Sequence, residues 1–197
     1  MITIFDYGAG NLRSVQNTLA EIGATYELVR NAEGLRLATR IILPGVGHFG
    51  QMLRALNDLG VRDTLRERIQ AGVPFLGICL GLQGLFENSE EAPEARGLGL
   101  FPGTVKRFPA DARVPHMGWN EVTAVRACPL LEGAGAHPYL YFAHSYYVPE
   151  TNVTAATCTY SVPYTAVLQS GNVFGVQFHP EKSGPAGLKI VSNFLKI

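Results

Sequence analysis

The chain has 197 residues with 16 basic and 16 acidic side chains, so its formal net charge is zero. Hydrophobic residues make up 47% and charged residues only 16%, which excludes general disorder and a nucleic-acid binder that works through a basic field. Charge is scarce for a chain of this size and suggests that another molecule covers part of its surface.

The cysteines and the apolar stretches indicate the compartment. Three cysteines (Cys79, Cys128 and Cys158) are too few, and odd in number, for a secreted disulfide scaffold. The start, Met1 to Asp6, lacks the features of a signal peptide. The longest uncharged apolar stretch, Gly72 to Phe86, is too short to span a bilayer. We therefore expect a soluble, cytoplasmic protein.

Strand-like and helix-like segments alternate in the first half of the chain. Strands are predicted at 2–5, 26–29, 41–43 and 74–78, and helices at 12–22, 49–56, 65–72 and 80–86. Continuous apolar strands that alternate with amphipathic helices indicate a parallel sheet covered on both faces.

The second half is richer in strands. A surface loop is predicted at 89–97, strands at 139–148, 153–160, 164–169 and 173–178, and a last helix at 186–195. The turn residues Ser170-Gly171-Asn172 predict a hairpin between the last two strands. We predict an α/β fold in one domain, residues 1–197. Its central sheet is largely parallel and flanked by helices, with extra antiparallel strands in the C-terminal half.

The sharpest local motif is Gly77-Ile78-Cys79-Leu80-Gly81, placed where a strand turns into a helix. This is the pattern of a nucleophile elbow, in which a strained turn presents the central side chain at a helix N-terminus. There the N–H groups favour a thiolate and can receive an oxyanion. An isolated cysteine is more often a buried apolar residue, but the two glycines favour the nucleophile.

A cysteine nucleophile needs a base and a group that orients the base. His179-Pro180-Glu181 follows a predicted strand and supplies both, whereas the other histidines are expected to be structural. Pro44-Gly45-Val46-Gly47 ends another parallel strand, and ligands bind at such ends. Two interpretations of this loop stay open: a tight turn, or an oxyanion donor through backbone N–H, with Val46 as the best candidate.

With these residues assembled, the chain resembles the class I (triad) glutamine amidotransferases. Within that family it is similar to the glutaminase subunits of imidazole glycerol phosphate synthase, which act in histidine biosynthesis. The resemblance covers the whole chain and is carried by Asp6–Leu12, Gly77–Gln83, Pro115–Asn120, His144–Tyr146 and Phe178–Lys182.

The resemblance implies glutamine hydrolysis by Cys79, His179 and Glu181 through a γ-glutamyl thioester, without a cofactor or a metal. It places the oxyanion hole at the backbone of Leu80, Gly45, Val46 and Gly47. It assigns substrate binding to Gln83, His144, Ser145, Tyr146 and Glu91. For Glu91 a solvated loop position is an equally good interpretation.

The resemblance also implies a partner, a (β/α)8-barrel synthase (cyclase) subunit that forms a heterodimer and receives the ammonia. Asn11, Trp119, Tyr141 and Lys182 are assigned to the interface, although core packing is the ordinary role of a lone tryptophan. Three alternatives remain open: a glutaminase subunit of pyridoxal phosphate synthesis, a cysteine peptidase or esterase, and a non-catalytic interaction domain.

Overall fold

The computed structural model of the chain describes all of residues 1–197 and is organised around an eight-stranded sheet. The strands are β1 (Ile2–Phe5), β2 (Tyr26–Val29), β3 (Ile41–Gly45), β4 (Phe75–Cys79), β5 (Phe86–Ser89), β6 (Phe101–Arg107), β7 (His116–Glu121), β8 (Thr123–Ala124), β9 (Tyr139–His144), β10 (Tyr146–Tyr147), β11 (Thr154–Tyr160), β12 (Val162–Ser170) and β13 (Val173–Val176). The α-helices are α1 (Leu12–Glu21), α2 (Ala32–Leu37), α3 (Phe49–Asp58), α4 (Arg62–Gln70), α5 (Leu80–Gln83) and α6 (Gly184–Phe194).

The main sheet has the strand order β2-β1-β3-β4-β13-β12-β11-β8. The first five strands in this order are parallel, whereas β12, β11 and β8 add on as antiparallel strands. The predicted α/β class, with a largely parallel sheet and antiparallel strands from the C-terminal half, is confirmed. Two smaller sheets, β10-β6-β5 and β7-β9, lie outside the main one.

Side chains at alternate positions of the parallel strands belong to two separate hydrophobic cores. Ile42 and Leu76 belong to one apolar cluster together with residues of α1 and α6. Ile41, Leu43 and Phe75 belong to a second cluster, with residues of α2, α3 and α4. Since successive side chains of a strand point to opposite faces, helices cover the sheet on both sides. None of the helices has the length and apolar composition needed to cross a membrane.

Several predicted elements differ from the observed ones. The helix expected over 80–86 is wrong in its second half, because α5 ends at Gln83 and Phe86 begins β5. The strand expected over 139–148 divides into β9 and β10, which belong to different sheets. Strands β6 and β7 and helix α2 were not predicted.

Candidate active site

The chain turns sharply at Cys79, the last residue of β4 and the N-cap of α5. Its backbone has φ +54° and ψ −106°, and it is one of two non-glycine residues with a positive φ. Left-handed backbone is costly for a side chain other than glycine, and such strain gathers at functional sites. The thiol is buried, and its sulfur lies at the carboxyl end of the parallel sheet.

Glycines let the backbone close tightly around this turn. A Cβ atom on Gly77 would lie 2.5 Å from the carbonyl oxygen of Gly81. One on Gly45 would lie 2.6 Å from the backbone nitrogen of Gly81. These distances are far below van der Waals contact, so a side chain at either position would push α5 away from β3 and β4.

His179 and Glu181 lie beside Cys79, after the end of the neighbouring strand β13. Nδ1–H of His179 donates to Oε1 of Glu181 at 2.9 Å, and both side chains are at least 96% buried. The His179 backbone is fixed as well, since its N–H donates to the carbonyl of Tyr141 at 2.8 Å and its carbonyl accepts from Ser183 at 2.7 Å.

The charge of His179 follows from these neighbours. Burial alone lowers the pKa of an imidazole, but here a side-chain hydrogen bond and attraction from Cys79 outweigh it, and Glu181 adds to them. The net result raises the pKa of His179 well above its ordinary value. An imidazolium between the sulfur of Cys79 and the carboxylate of Glu181 is poised to donate a proton at Nε2.

The loop after β3 lies directly beside the nucleophile. Gly45 pairs with Cys79 in the parallel register of β3 and β4, so Val46 and Gly47 follow at the edge of the site. Gly47 has φ +96°. The Tyr7 hydroxyl donates to the carbonyl of Val46 at 3.5 Å, and burial raises the pKa of Tyr7 to about 12, so the hydroxyl stays protonated.

Cys79, His179 and the loop after β3 line a common cavity of about 230 Å³. The residues that line it are Val46, Gly47, Cys79, Leu80, Gln83, Glu91, Pro115, Met117, Ala143, His144, Ser145, Tyr146 and His179. Every residue predicted for substrate binding is therefore at this cavity. Its volume lies below the usual range of small-molecule sites and suits a ligand the size of an amino acid better than a peptide.

Glu91 lines the cavity and also has a structural contact. Its Oε2 accepts from the backbone N–H of Phe49 at 2.8 Å, at the N-terminal end of α3. A carboxylate at that end satisfies an unpaired N–H and interacts favourably with the helix dipole. Glu91 therefore ties its loop to α3, whatever further contact it makes.

Two histidines form a buried pair behind the cavity. His116 on β7 faces His144 on β9, with Nδ1 of the first 3.3 Å from Nε2 of the second. His144 Nδ1 lies 2.8 Å from the Tyr146 carbonyl, which accepts only, so this nitrogen carries the proton. Burial lowers the pKa of His116 to about 4 and that of His144 to about 3. Both rings are neutral at pH 7.

None of the four residues predicted for a partner interface is buried in the core. Trp119 is 55% exposed on β7, and its ring meets that of Tyr141 on β9 edge to face, with centroids 6.1 Å apart. The Lys182 ammonium lies 5.6 Å from the centre of the Tyr141 ring. Asn11 is the N-cap residue of α1, which packs against residues 180–182.

One polar contact of the thiol was missed from the sequence. Gln177, fully buried after β13, donates from Nε2 to the sulfur of Cys79 at 3.5 Å. The available signal was period-two alternation, which puts residues 177 and 179 on the same side of an extended chain. No group of three or more His, Cys, Asp or Glu side chains is placed to hold a metal ion.

Comparison with known proteins gives consistent matches over the full length. A profile of the family described as "Glutamine amidotransferase class-I" matches residues 3–197. The chain is 48% identical over 198 residues to "Imidazole glycerol phosphate synthase subunit HisH" of Desulfitobacterium hafniense, covering 100% of this chain and 94% of that protein. It is 46% identical to the protein of the same name from Methanocaldococcus jannaschii, covering 100% of both chains.

Solved structures share the fold at lower identity. A crystal structure described as a glutamine amidotransferase superposes with a TM-score of 0.78 at 21% identity, covering 99% of this chain and 97% of that one. The structure of PurLQS from Thermotoga maritima gives a TM-score of 0.77 at 22% identity, with the same coverage. At such identities the likeness shows the arrangement of helices and strands.

Proposed function

Because this chain belongs to the class-I glutamine amidotransferase family, among the HisH subunits of imidazole glycerol phosphate synthase, we propose that it hydrolyses L-glutamine with Cys79, His179 and Glu181. The products are glutamate and ammonia, and the intermediate is a γ-glutamyl thioester on Cys79. Membership among the HisH subunits favours this function over the glutaminase of pyridoxal phosphate synthesis.

One observation carries the proposal: the strained Cys79 faces His179, and Nδ1 of that imidazole is held by Glu181 at 2.9 Å. This arrangement supports roles for the three groups as nucleophile, base and orienting carboxylate, the relation that acyl transfer requires. Cys79 ends β4, and His179 and Glu181 follow the adjacent strand β13. Cys79 and His179 line one small cavity, with Glu181 buried behind the imidazole.

The reaction follows from the charges of these groups. The thiolate of Cys79 attacks the side-chain amide carbon of glutamine, and the amide oxygen becomes an oxyanion. The imidazolium of His179 gives its proton to the leaving nitrogen, the C–N bond breaks, and ammonia leaves. Neutral His179 then takes a proton from water, which attacks the thioester carbon and releases glutamate and the thiolate. Glu181 holds the ring and stabilises its positive charge.

The backbone beside Cys79 supplies the oxyanion site in this proposal. Leu80 contributes the first N–H of α5, and the loop of Gly45, Val46 and Gly47 contributes the second donor. The substrate's amino-acid end lies against Gln83 and the backbone of residues 144–146, with Glu91 at the rim. These assignments are supported by the position of every one of these residues at or beside the cavity.

The ammonia is used by a partner subunit. HisH relatives are named as subunits of imidazole glycerol phosphate synthase, and we propose a (β/α)8-barrel cyclase as the second chain of a heterodimer. It would make imidazole glycerol phosphate and an aminoimidazole carboxamide ribotide. An exposed tryptophan beside Tyr141 and Lys182 has the character of an interface anchor.

The test is an assay of ammonia and glutamate release from L-glutamine, with and without the barrel subunit and its ligand. Cys79→Ala should abolish release, and trapping with a γ-glutamyl affinity label should be lost with it. Cys128→Ala is the matched control, because that cysteine is also buried and free but lies outside the cavity. Release that survives Cys79→Ala would overturn the proposed chemistry.

Addition of the partner is expected to raise the rate of glutamine hydrolysis. In this proposal an oxyanion donor or a closing loop reaches its active position only in the complex. Equal rates with and without the barrel subunit would contradict this part. Hydrolysis of esters or peptides with no hydrolysis of glutamine would instead support the peptidase or esterase alternative.

A further inference from the structure

A continuous series of hydrogen bonds ends at the nucleophile. The Tyr146 carbonyl accepts from Nε2 of Gln83 at 2.8 Å, and the same nitrogen donates to Oε1 of Gln177 at 3.1 Å. Nε2 of Gln177 then lies 3.5 Å from the sulfur of Cys79. The bonds between the two glutamine side chains and from Gln177 to the sulfur are buried, so bulk water does not compete for them.

The direction of the series is fixed at its far end. A backbone carbonyl accepts only, so Gln83 must turn its NH2 group toward Tyr146. The second hydrogen of that group requires an acceptor, which makes the near atom of Gln177 its oxygen. The Gln177 NH2 group is thereby turned toward Cys79. His144 Nδ1–H, 2.8 Å from the same Tyr146 carbonyl, adds a second bond that holds this acceptor in place.

We propose that Gln177 is a catalytic residue that donates a hydrogen bond to the sulfur of Cys79, and that Gln83 and Tyr146 set the orientation of its amide. This inference rests on the proposed function, which makes Cys79 the nucleophile. The donor stabilises the thiolate more than the thiol, because a hydrogen bond to an ionised acceptor is the stronger one. It also fixes the sulfur at the floor of the cavity.

Gln177 acts together with the charged group that also contacts the sulfur. His179 contacts the thiol from the segment after β13, and Tyr7, in the loop after β1, and Tyr164 of β12 are within electrostatic range of it. Both tyrosines have raised pKa values and remain neutral around pH 7. Near neutral pH, His179 supplies the charge and Gln177 supplies the uncharged donor.

The experiment is the pH dependence of Cys79 alkylation by iodoacetamide, followed by mass spectrometry of the peptide that contains Cys79. Gln177→Met keeps the length of the side chain but removes both the donor to Cys79 and the acceptor of Gln83. Gln177→Glu keeps the acceptor and replaces the donor by an oxygen. Loss of the donor should shift the alkylation midpoint upward by about one pH unit, equivalent to a tenfold weaker preference for the thiolate. Gln177→Glu should shift it further, because two negative charges then face each other.

Thr165→Val is the matched control, since it removes the buried hydrogen bonds of Thr165 with Thr154 and with the Pro149 carbonyl, neither of which involves the thiol. It should leave the midpoint in place. In glutamine hydrolysis, Gln177→Glu, which keeps the acceptor for Gln83, should lower kcat at least about tenfold and change KM less than twofold. A midpoint equal to the wild type in either folded Gln177 variant would overturn the inference.

Alkylation needs no glutamine, so the two proposals can fail separately. If the Gln177 variants show a shifted midpoint but the wild type does not hydrolyse glutamine, the proposed function is refuted and the role of Gln177 is supported. If the wild type hydrolyses glutamine but the midpoint of the Gln177 variants is unshifted, the proposed function is supported and the role of Gln177 is refuted.

Discussion

The buried histidine pair predicts a steep loss of stability in mild acid. His116 and His144 have folded-state pKa values of about 4 and about 3, against an ordinary value of 6.5. As the pH falls below 6.5, the unfolded chain takes up these two protons before the folded chain does. The stability that the neutral pair contributes is therefore complete above pH 6.5 and lost as the pH falls toward the folded values.

The size of the effect follows from proton linkage. Between pH 6 and pH 5 each histidine is charged in the unfolded chain and neutral in the folded one, which costs about 1.4 kcal/mol per pH unit. The pair gives a slope of about 2.7 kcal/mol per pH unit, a large part of the stability of an ordinary domain. His179 has a raised pKa, so it is protonated in both states in this window and adds no slope.

The assay is urea unfolding at pH 6.0, 5.5 and 5.0, with the free energy of unfolding extrapolated to water. His116→Gln should halve the slope, although it lowers stability at every pH by removing a ring that stacks on Tyr160 at 4.0 Å. Phe142→Leu is the control, because it removes a ring stacked on His116 at 5.0 Å without removing a titrating group. Its slope should match that of the wild type. A wild-type slope below about 1 kcal/mol per pH unit, or an unchanged slope in His116→Gln, would refute the reasoning.

Three further predictions concern the site and its surroundings. Glu181→Gln should lower kcat for glutamine by about 100-fold or more, since the imidazolium of His179 loses its carboxylate, and a smaller loss in steady-state kinetics would contradict that role. Gly81→Ala should destabilise the fold by about 3 kcal/mol in urea unfolding, because the added Cβ would overlap the carbonyl oxygen of Leu43. Trp119→Ala should leave the unfolding curve in place but weaken binding of the barrel subunit about 30-fold by calorimetry; unchanged affinity would remove it from the interface.

The parts of the site that sequence alone could predict are those fixed by local physics. The backbone packs so closely around Cys79 that Gly77 and Gly81 have no room for a side chain, and few other turns need glycine at both positions. The strand that precedes this turn is a continuous apolar run. His179 and Glu181 are two residues apart and follow another such run. In both cases the chemistry and the element that presents it are neighbours in the chain.

The errors arise where distant pairing decides the structure. The apolar run from Leu80 to Phe86 satisfies a buried helix and a buried strand equally well. Phe86 joins β5 because it pairs with Phe101 of β6 in a parallel register, and no local pattern contains that information. Alternation along the chain places Gln177 on the same side as His179, but its partner Cys79 lies 98 residues earlier and becomes its neighbour only through the pairing of β13 with β4.

The position of β13 in the middle of the main sheet has a consequence for synthesis. Residues 173–176 come from the last eighth of the chain, yet they separate β4 from the antiparallel strands β12 and β11. While the ribosome is still translating the C-terminal quarter, β4 presents an unpaired apolar edge that is open to association with other chains. A chain truncated before residue 173 should therefore aggregate more readily than one truncated after residue 180, in which β13 can pair with β4 and bring Cys79, Gln177 and His179 together.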